Sequence, residues 1–131
     1  MELVEIYTEY KYLNESFTLF VDDLINNNFE GHTEQDIVCK LIAAKENYGR
    51  LKEEADKIEL EEECDEGNVK DLEYLLVDGL FLAIDLLNFY RVKEFERFKM
   101  RGTNYIRKGR VLNFFKYSKL CMYMQVSHLI F

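Results

Sequence analysis

The sequence contains no proline and only six glycines among its 131 residues. Proline interrupts helices and glycine weakens them, so few positions force the chain to break. Cysteine is also scarce. The three cysteines, Cys39, Cys64 and Cys121, are far apart, odd in number and without C-x-x-C spacing. This pattern indicates neither a disulfide framework nor a zinc knuckle. Free thiols indicate a reducing compartment, and we expect a cytoplasmic protein.

We expect neither a secretion signal nor a membrane segment in this chain. Its N-terminus is acidic from Glu2 and lacks the basic start and apolar run of a signal peptide. The most apolar stretch, residues 72–90, contains Glu73, Asp78 and Asp85. These charges would be costly inside a bilayer, so we expect no membrane partner and interpret the stretch as a core helix.

Length and composition predict an all-α protein. Hydrophobic residues make up 48% and charged residues 32% of the chain, a balance typical of a globular domain. We expect residues 1–131 to form a single domain, a bundle of four to five helices with a long central hydrophobic helix. The predicted helices span residues 2–27, 34–63, 69–100 and 105–123, and residues 126–131 stay unassigned.

The spacing of apolar residues predicts the first two helices. One row repeats every three or four positions through Leu3, Ile6, Tyr10, Leu13, Phe17, Phe20 and Leu24. A second, heptad-like row follows through Ile37, Leu41, Ala44, Tyr48, Leu51, Ala55 and Ile58. The second row suits contact with another subunit or packing inside one bundle, and we favour the bundle because such packing is commoner.

Polar residues and glycines predict the helix boundaries. Asn26, Asn27, Asn28 and Gly31 tolerate turns, and Thr33 is a suitable N-cap for the second helix. Residues 65–68, Asp-Glu-Gly-Asn, predict the next turn, and residues 101–104, Arg-Gly-Thr-Asn, predict the last one.

Charge is divided unequally along the chain. Residues 1–90 carry a net charge of −16 and residues 91–131 a net charge of +8, within a total of −8. Such a division favours either attraction between the C-terminal helix and the acidic body or two surfaces with different partners. The sequence leaves both interpretations open.

The most acidic segment is the predicted interaction surface, made of Glu59, Glu61, Glu62, Glu63, Asp65 and Glu66. We expect a small non-enzymatic protein that binds another protein there, as a regulator, an adaptor or an immunity-like inhibitor of a basic nucleic-acid enzyme. The partner's identity is open. An apolar seam on the second helix and an aromatic C-terminus add homodimerisation as a further expectation.

A basic, aromatic segment supplies an alternative function. Arg101, Arg107, Lys108 and Arg110 could neutralise phosphates while neighbouring aromatic rings stack on bases. We expect nucleic acid to be the less favoured partner, since an acidic protein repels it over much of its surface.

A row of carboxylates supplies a catalytic alternative. Asp71, Asp78 and Asp85 are seven residues apart, so they share one side of a helix, which we interpret as a narrow solvent-facing stripe. The alternative is a Mg²⁺ site shared with Glu53, Glu54 and Asp56 of the second helix.

The segments 51–56 and 76–85 resemble the all-α nucleotide pyrophosphatases of the MazG type. Those enzymes hold Mg²⁺ with E-x-x-E on one helix and E-x-x-D on the next, often with a polar residue seven positions further on. Glu54, Asp78 and Asp85 match this pattern, whereas Lys57 and Leu75 stand where the other two glutamates belong. The resemblance implies Mg²⁺ as a cofactor and these three matching residues as ligands. Without it, we expect no metal and no cofactor.

Other catalytic patterns are missing from the sequence. The three serines lie outside any G-x-S-x-G elbow, and no glycine-rich phosphate loop occurs. His32 and His128 have no second ligand at metal-binding spacing. The sequence therefore predicts no catalytic residues.

Overall fold

The computed structural model describes residues 1–59 and 63–112, and the side chains of residues 63–65 and 110–112 lie outside that description. Within these ranges the chain forms four helices and no strand: α1 (Leu3–Asn26), α2 (Glu34–Asp56), α3 (Glu63–Arg91) and α4 (Phe95–Leu112). All four contribute to one hydrophobic cluster. The all-α prediction is therefore confirmed, and the helices form a bundle.

Helix α1 forms because its apolar residues recur at helical spacing, which places Ile6, Phe17 and Leu24 in the core. Its end is fixed by the backbone. Asn28 adopts a left-handed conformation with φ 53°, and the amide of Phe29 donates to the carbonyl of Leu24 at 2.8 Å. This is a Schellman ending, in which two residues beyond the helix satisfy its last carbonyls.

Helix α2 begins at the predicted cap, where the hydroxyl of Thr33 accepts a hydrogen bond from the amide of Asp36 at 3.1 Å. Six residues of the predicted heptad-like row are buried in the core: Ile37, Leu41, Ala44, Tyr48, Leu51 and Ala55. The seventh, Ile58, is half-buried. The row therefore packs inside the bundle, as predicted.

The predicted boundary between the second and third helices is wrong. Helix α2 ends at Asp56 rather than at residue 63, and α3 begins at Glu63, so the predicted turn at residues 65–68 is helical. The helix dipole gives the reason. Carboxylates destabilise the C-terminal end of a helix and stabilise the N-terminal end, so Glu63, Asp65 and Glu66 are better placed in the first turn of α3.

The predicted boundary between the third and fourth helices is also wrong. Helix α3 ends at Arg91, α4 begins at Phe95, and residues 101–104 lie inside α4. Lys93 makes the turn with φ 62°, while the amide of Glu94 donates to the carbonyl of Phe89 at 2.9 Å. Helix α4 reaches Leu112, and the rest of the helix predicted to residue 123 lies outside the described residues.

Gly102, which the sequence suggested as a helix stop, serves close packing instead. A Cβ atom there would lie 2.8 Å from Ile25 Cδ1 and 2.9 Å from Val21 Cγ1. The missing side chain allows α4 to approach α1 closely. Phe98 and Tyr105, on the same side of α4, are buried in the core.

Neighbouring helices run antiparallel along the chain. Arg50 of α2 reaches Glu9 of α1 with an N–O distance of 3.0 Å, and Tyr48 of α2 packs on Gly79 of α3. The start of α1, the end of α2 and the start of α3 therefore lie at one end of the bundle.

Candidate functional site

The topology gathers carboxylates from three separate parts of the sequence at one end of the bundle, which we call the acidic end. Its members are exposed or half-buried: Glu2, Glu5, Glu9, Glu53, Glu54, Asp56, Glu59, Glu66, Asp71 and Glu73. Hydrophobic packing of the three helices holds them there, because the apolar rows that set the helix register face inward.

Some of these carboxylates are neutralised by nearby cations. Glu66 pairs with Lys70 at 3.1 Å, Asp56 with Lys52 at 2.9 Å and Glu9 with Arg50 at 3.0 Å. The hydrogen bond and charge of Asp56 raise the pKa of Lys52. These pairs are exposed, so each adds little to stability.

Other carboxylates of the acidic end remain uncompensated. Among the described residues, Glu5, Glu53, Glu59 and Asp71 are exposed and have no ion-pair partner. Glu5 lies on α1, Glu53 on α2, Glu59 just after α2 and Asp71 on α3. This end of the bundle therefore presents a negative potential to solvent.

The predicted interaction surface lies only partly within the described residues. Glu59 and Glu66 are exposed and belong to the acidic end. Glu61 and Glu62 lie outside the described residues, as do the side chains of Glu63 and Asp65. Sequence reasoning missed Glu5, Glu53 and Asp71 as members of the same surface, because only the folded topology brings them to it.

The three carboxylates matched by the MazG-type resemblance do not converge. Pairing Tyr48 with Gly79 places Glu54 level with about residue 73 of α3, so Asp85 lies about 18 Å further along the helix axis. Glu54 contacts Met1 and Lys57 instead, at 3.6 and 3.5 Å. In the described part of the chain, no group of three or more His, Cys, Asp or Glu side chains could hold a metal ion.

The row Asp71, Asp78 and Asp85 lies along the side of α3 that adjoins α4. Asp85 accepts from Arg101 Nε at 2.9 Å, and half-buried Asp78 helps to raise the pKa of Tyr105. Of the three, Asp71 is exposed and Asp78 and Asp85 are half-buried, so the expected solvent-facing stripe holds for Asp71 alone. The Arg101–Asp85 pair is a direct attraction between the basic and acidic parts of the chain.

The four cations predicted to contact nucleic acid do not share one environment. Arg101 pairs with Asp85, and Lys108 lies 5.7 Å from the centre of the Tyr74 ring. Arg107 is exposed, and the side chain of Arg110 lies outside the described residues. Two of the four cations are therefore turned toward α3, which weakens the case for one continuous phosphate-binding face.

A polar cluster that sequence reasoning missed joins three helices at half-buried Asn14. Asn14 Oδ1 accepts from Tyr48 at 2.8 Å and from Tyr105 at 2.7 Å. Burial raises the pKa of Tyr105 to about 12, and Asp78 adds to the rise. Tyr10, one turn before Asn14, also hydrogen-bonds Tyr105. The cluster satisfies polar groups inside the core and joins α1, α2 and α4.

Two shallow clefts open on the bundle surface. One, of about 160 Å³, lies between α1 and α4 beside Asn14 and Tyr105. The other, of about 260 Å³, lies between α1 and α2 beside Phe20 and Lys40. In the first cleft, the hydroxyl of Thr18 donates to the backbone carbonyls of Asn14 and Glu15, at 2.7 and 3.1 Å, and not to a carboxylate.

Comparison of the chain with protein-family models, with curated proteins and with solved structures finds no significant match in any of the three. No helix in the described ranges 1–59 and 63–112 is long and apolar enough to cross a membrane.

Proposed function

We propose that this protein works without catalysis, by binding another protein at its acidic end. The observation that carries the proposal is the convergence of Glu5, Glu53, Glu59 and Asp71, which are exposed and without ion-pair partners among the described residues. Maintaining uncompensated like charges at one end costs folding free energy through mutual repulsion. A function at that end would explain why they are present.

The partner proposed here is a protein with a cluster of Lys or Arg side chains. Opposite charge accelerates encounter and fixes orientation, whereas it contributes less to affinity once salt screens it. A regulator, an adaptor or an inhibitor that occupies the basic site of a nucleic-acid enzyme would use this chemistry. The exposed thiol of Cys39 supports placing the protein in the cytoplasm, where thiols stay reduced.

We further propose that residues 1–131 form one domain with α3 as its long central hydrophobic helix. Helix α3 is the longest of the four described helices and contacts each of the other three, which supports this assignment. Leu72, Leu76 and Leu86 of α3 are fully buried in the shared core.

Affinity purification of the tagged protein from its native host, at low and at high salt, tests the proposed function. We expect one stoichiometric basic protein to be retained at low salt and to be lost as salt rises, since screening weakens exposed charge contacts. Retention that is unaffected by salt would contradict electrostatic binding. A preparation that retains no protein would contradict the adaptor interpretation altogether.

A further inference from the structure

The larger of the two clefts, of about 260 Å³, lies between α1 and α2 and contains no residue of the acidic end. Leu13, Phe17 and Phe20 of α1 and Ala43 and Ala44 of α2 supply its apolar walls. Phe17 and Ala44 are also buried members of the core, so the floor of the cleft is part of the packing of the bundle. Ligand pockets usually measure about 300–1,000 Å³, so this cleft suits a ligand with a single ring.

Three polar side chains stand at the rim of the cleft: Lys40, Ser16 and Asn47. Lys40 Nζ lies 4.9 Å from the centre of the Phe20 ring, which is a cation–π contact. Among the described residues, no carboxylate pairs with Lys40, and neither Ser16 nor Asn47 has a hydrogen-bond partner. Apolar walls with a few polar groups available for bonding are the usual composition of a small-molecule site.

We propose that this cleft binds a small monocarboxylic acid with an apolar body of one ring. The carboxylate lies beside Lys40, and the ring lies against Leu13, Phe17 and Ala43. This site is separate from the acidic end and from the protein partner proposed for it.

The spacing of the lining residues sets the length of the ligand. Lys40 and Asn47 are seven residues apart on one side of α2, or about 10 Å along the helix. Phe20 lies beside Lys40, and Leu13 is seven residues before Phe20 on antiparallel α1, so Leu13 lies toward Asn47. A phenyl ring joined to a carboxylate by two carbons has about the length of this cleft.

Charge selects a carboxylate over an amine or a phosphate. Lys40 attracts an anion and repels an ammonium group, and the apolar walls reduce the screening of that interaction by water. Residues 1–90 carry a net charge of −16, which opposes a doubly charged phosphate more strongly than a singly charged carboxylate. A monoanion therefore fits the single cation of the site best.

Contacts outside the cleft hold its two aromatic walls in place. The ring of Phe20 meets that of His32 in a T-shaped arrangement with centroids 5.4 Å apart, and His32 Nε2 lies 2.7 Å from Asp23 Oδ2. Phe17 packs on Tyr48 in the same arrangement at 5.9 Å. Because both walls are formed before a ligand arrives, binding has a smaller ordering cost.

NMR titration of the full-length protein with 3-phenylpropionate tests the site. We expect saturable shifts of the amides around Phe20, Lys40 and Ala43, with a dissociation constant of about 1 mM, as suits a ligand of this size. 3-Phenylpropanamide, which has the same shape and no charge, should bind at least about fivefold more weakly. Equal affinity for the acid and the amide would overturn the preference for an anion, and shifts that do not saturate would overturn the site.

Two exposed lysines of α2 supply a matched pair of variants. Lys40→Gln should weaken binding of 3-phenylpropionate at least about fivefold and leave the affinity for 3-phenylpropanamide unchanged. Lys45→Gln makes the same charge change outside the lining of the cleft and should leave both affinities unchanged. Equal effects of the two variants on the acid would contradict the role of Lys40.

Ala43→Leu tests the location of the ring. Ala43 lines the cleft and is exposed, so a larger side chain there fills the cleft without disturbing the core. We expect this variant to lose saturable binding of both the acid and the amide while its circular dichroism stays that of the wild type. Unchanged binding by a folded Ala43→Leu variant would show that the ring does not lie in this cleft.

Discussion

Gly79 allows the ring of Tyr48 to reach the centre of the bundle. A Cβ atom at position 79 would lie 2.7 Å from Tyr48 Cζ, and the ring is fully buried with its hydroxyl bonded to Asn14. Gly79→Ala should therefore destabilise the protein by about 2–3 kcal/mol, because overpacking outweighs the gain in helix propensity of about 1 kcal/mol. Urea unfolding followed by circular dichroism measures the change.

Gly49→Ala is the matched control for this prediction. Gly49 is also helical, but a Cβ atom there would have no neighbour within 4 Å. The substitution should stabilise the protein by about 0.5–1 kcal/mol through propensity alone. Equal effects at positions 49 and 79 would show that Tyr48 does not pack on α3 in this way.

Tyr105 should make stability depend on alkaline pH. Burial, with a contribution from Asp78, raises its pKa to about 12 in the folded protein, whereas an unfolded tyrosine titrates near about 10. The folded state thus holds the phenolic proton more tightly. This contribution to stability is complete below about pH 10 and is lost as the pH rises toward 12.

Urea unfolding at several pH values tests the tyrosine prediction. Between about pH 9 and 12, the wild type should lose about 2–3 kcal/mol more unfolding free energy than Tyr105→Phe, since about two pKa units separate the folded and unfolded states. The other tyrosines titrate in both proteins and largely cancel in the difference. Parallel pH profiles would mean that Tyr105 is not held as a buried hydrogen-bond donor.

The connection between α3 and α4 depends on an unusual backbone conformation at a residue with a side chain. Lys93 has φ 62°, a left-handed conformation that costs residues other than glycine about 1 kcal/mol. Lys93→Gly should raise the melting temperature and stabilise the protein by about 1 kcal/mol. Lys45→Gly, at an exposed position inside α2, should instead destabilise it by about 1 kcal/mol. Destabilisation by both would argue against the turn at Lys93.

The helices and turns of this protein show which structural features can be predicted from a sequence. The apolar rows of α1 and α2 and the Thr33 cap were correct because hydrophobic spacing and a single side chain determine them. The turn at Lys93 was missed because lysine carries no turn preference and the Schellman bonds are made by the backbone. Gly102 was misassigned because a glycine that ends a helix and one that admits a neighbouring helix look alike in sequence.

Helix α3 was expected to be a long central hydrophobic helix, because residues 72–90 are the most apolar stretch of the chain. The described helices cover one side and leave Phe81 largely exposed on the other. Periodicity reports how apolar residues are spaced, but it does not report how many neighbours are present to cover them.

At the scale of the whole molecule, antiparallel packing creates the acidic end. The acidic-end carboxylates of α1 are about 40 residues or more before those of α2 in the sequence. They nevertheless lie at the same end of the bundle, together with those of α3. The acidic segment 59–66 was visible in the sequence, but its neighbours on α1 were not. Likewise, the carboxylates matched by the pyrophosphatase motif stay apart because helix register separates them along the bundle axis.

If the proposed function is correct, partner binding depends more on the charge at the acidic end than on the total charge of the protein. Glu53→Gln, Glu59→Gln and Asp71→Asn together remove three carboxylates of the acidic end that have no ion-pair partner among the described residues. Glu15→Gln, Glu30→Gln and Glu46→Gln remove the same charge from exposed sites elsewhere on the bundle. Both triple variants should fold, and the acidic-end variant should be at least as stable as the control, because removing uncompensated like charges relieves their repulsion.

The most direct test is quantitative mass spectrometry of the protein retained by the wild type and by these two triple variants at low salt. We expect the wild type and the Glu15, Glu30 and Glu46 variant to retain a basic partner, and we expect its retention to fall about tenfold with the Glu53, Glu59 and Asp71 variant. Equal retention by both triple variants would contradict binding at the acidic end.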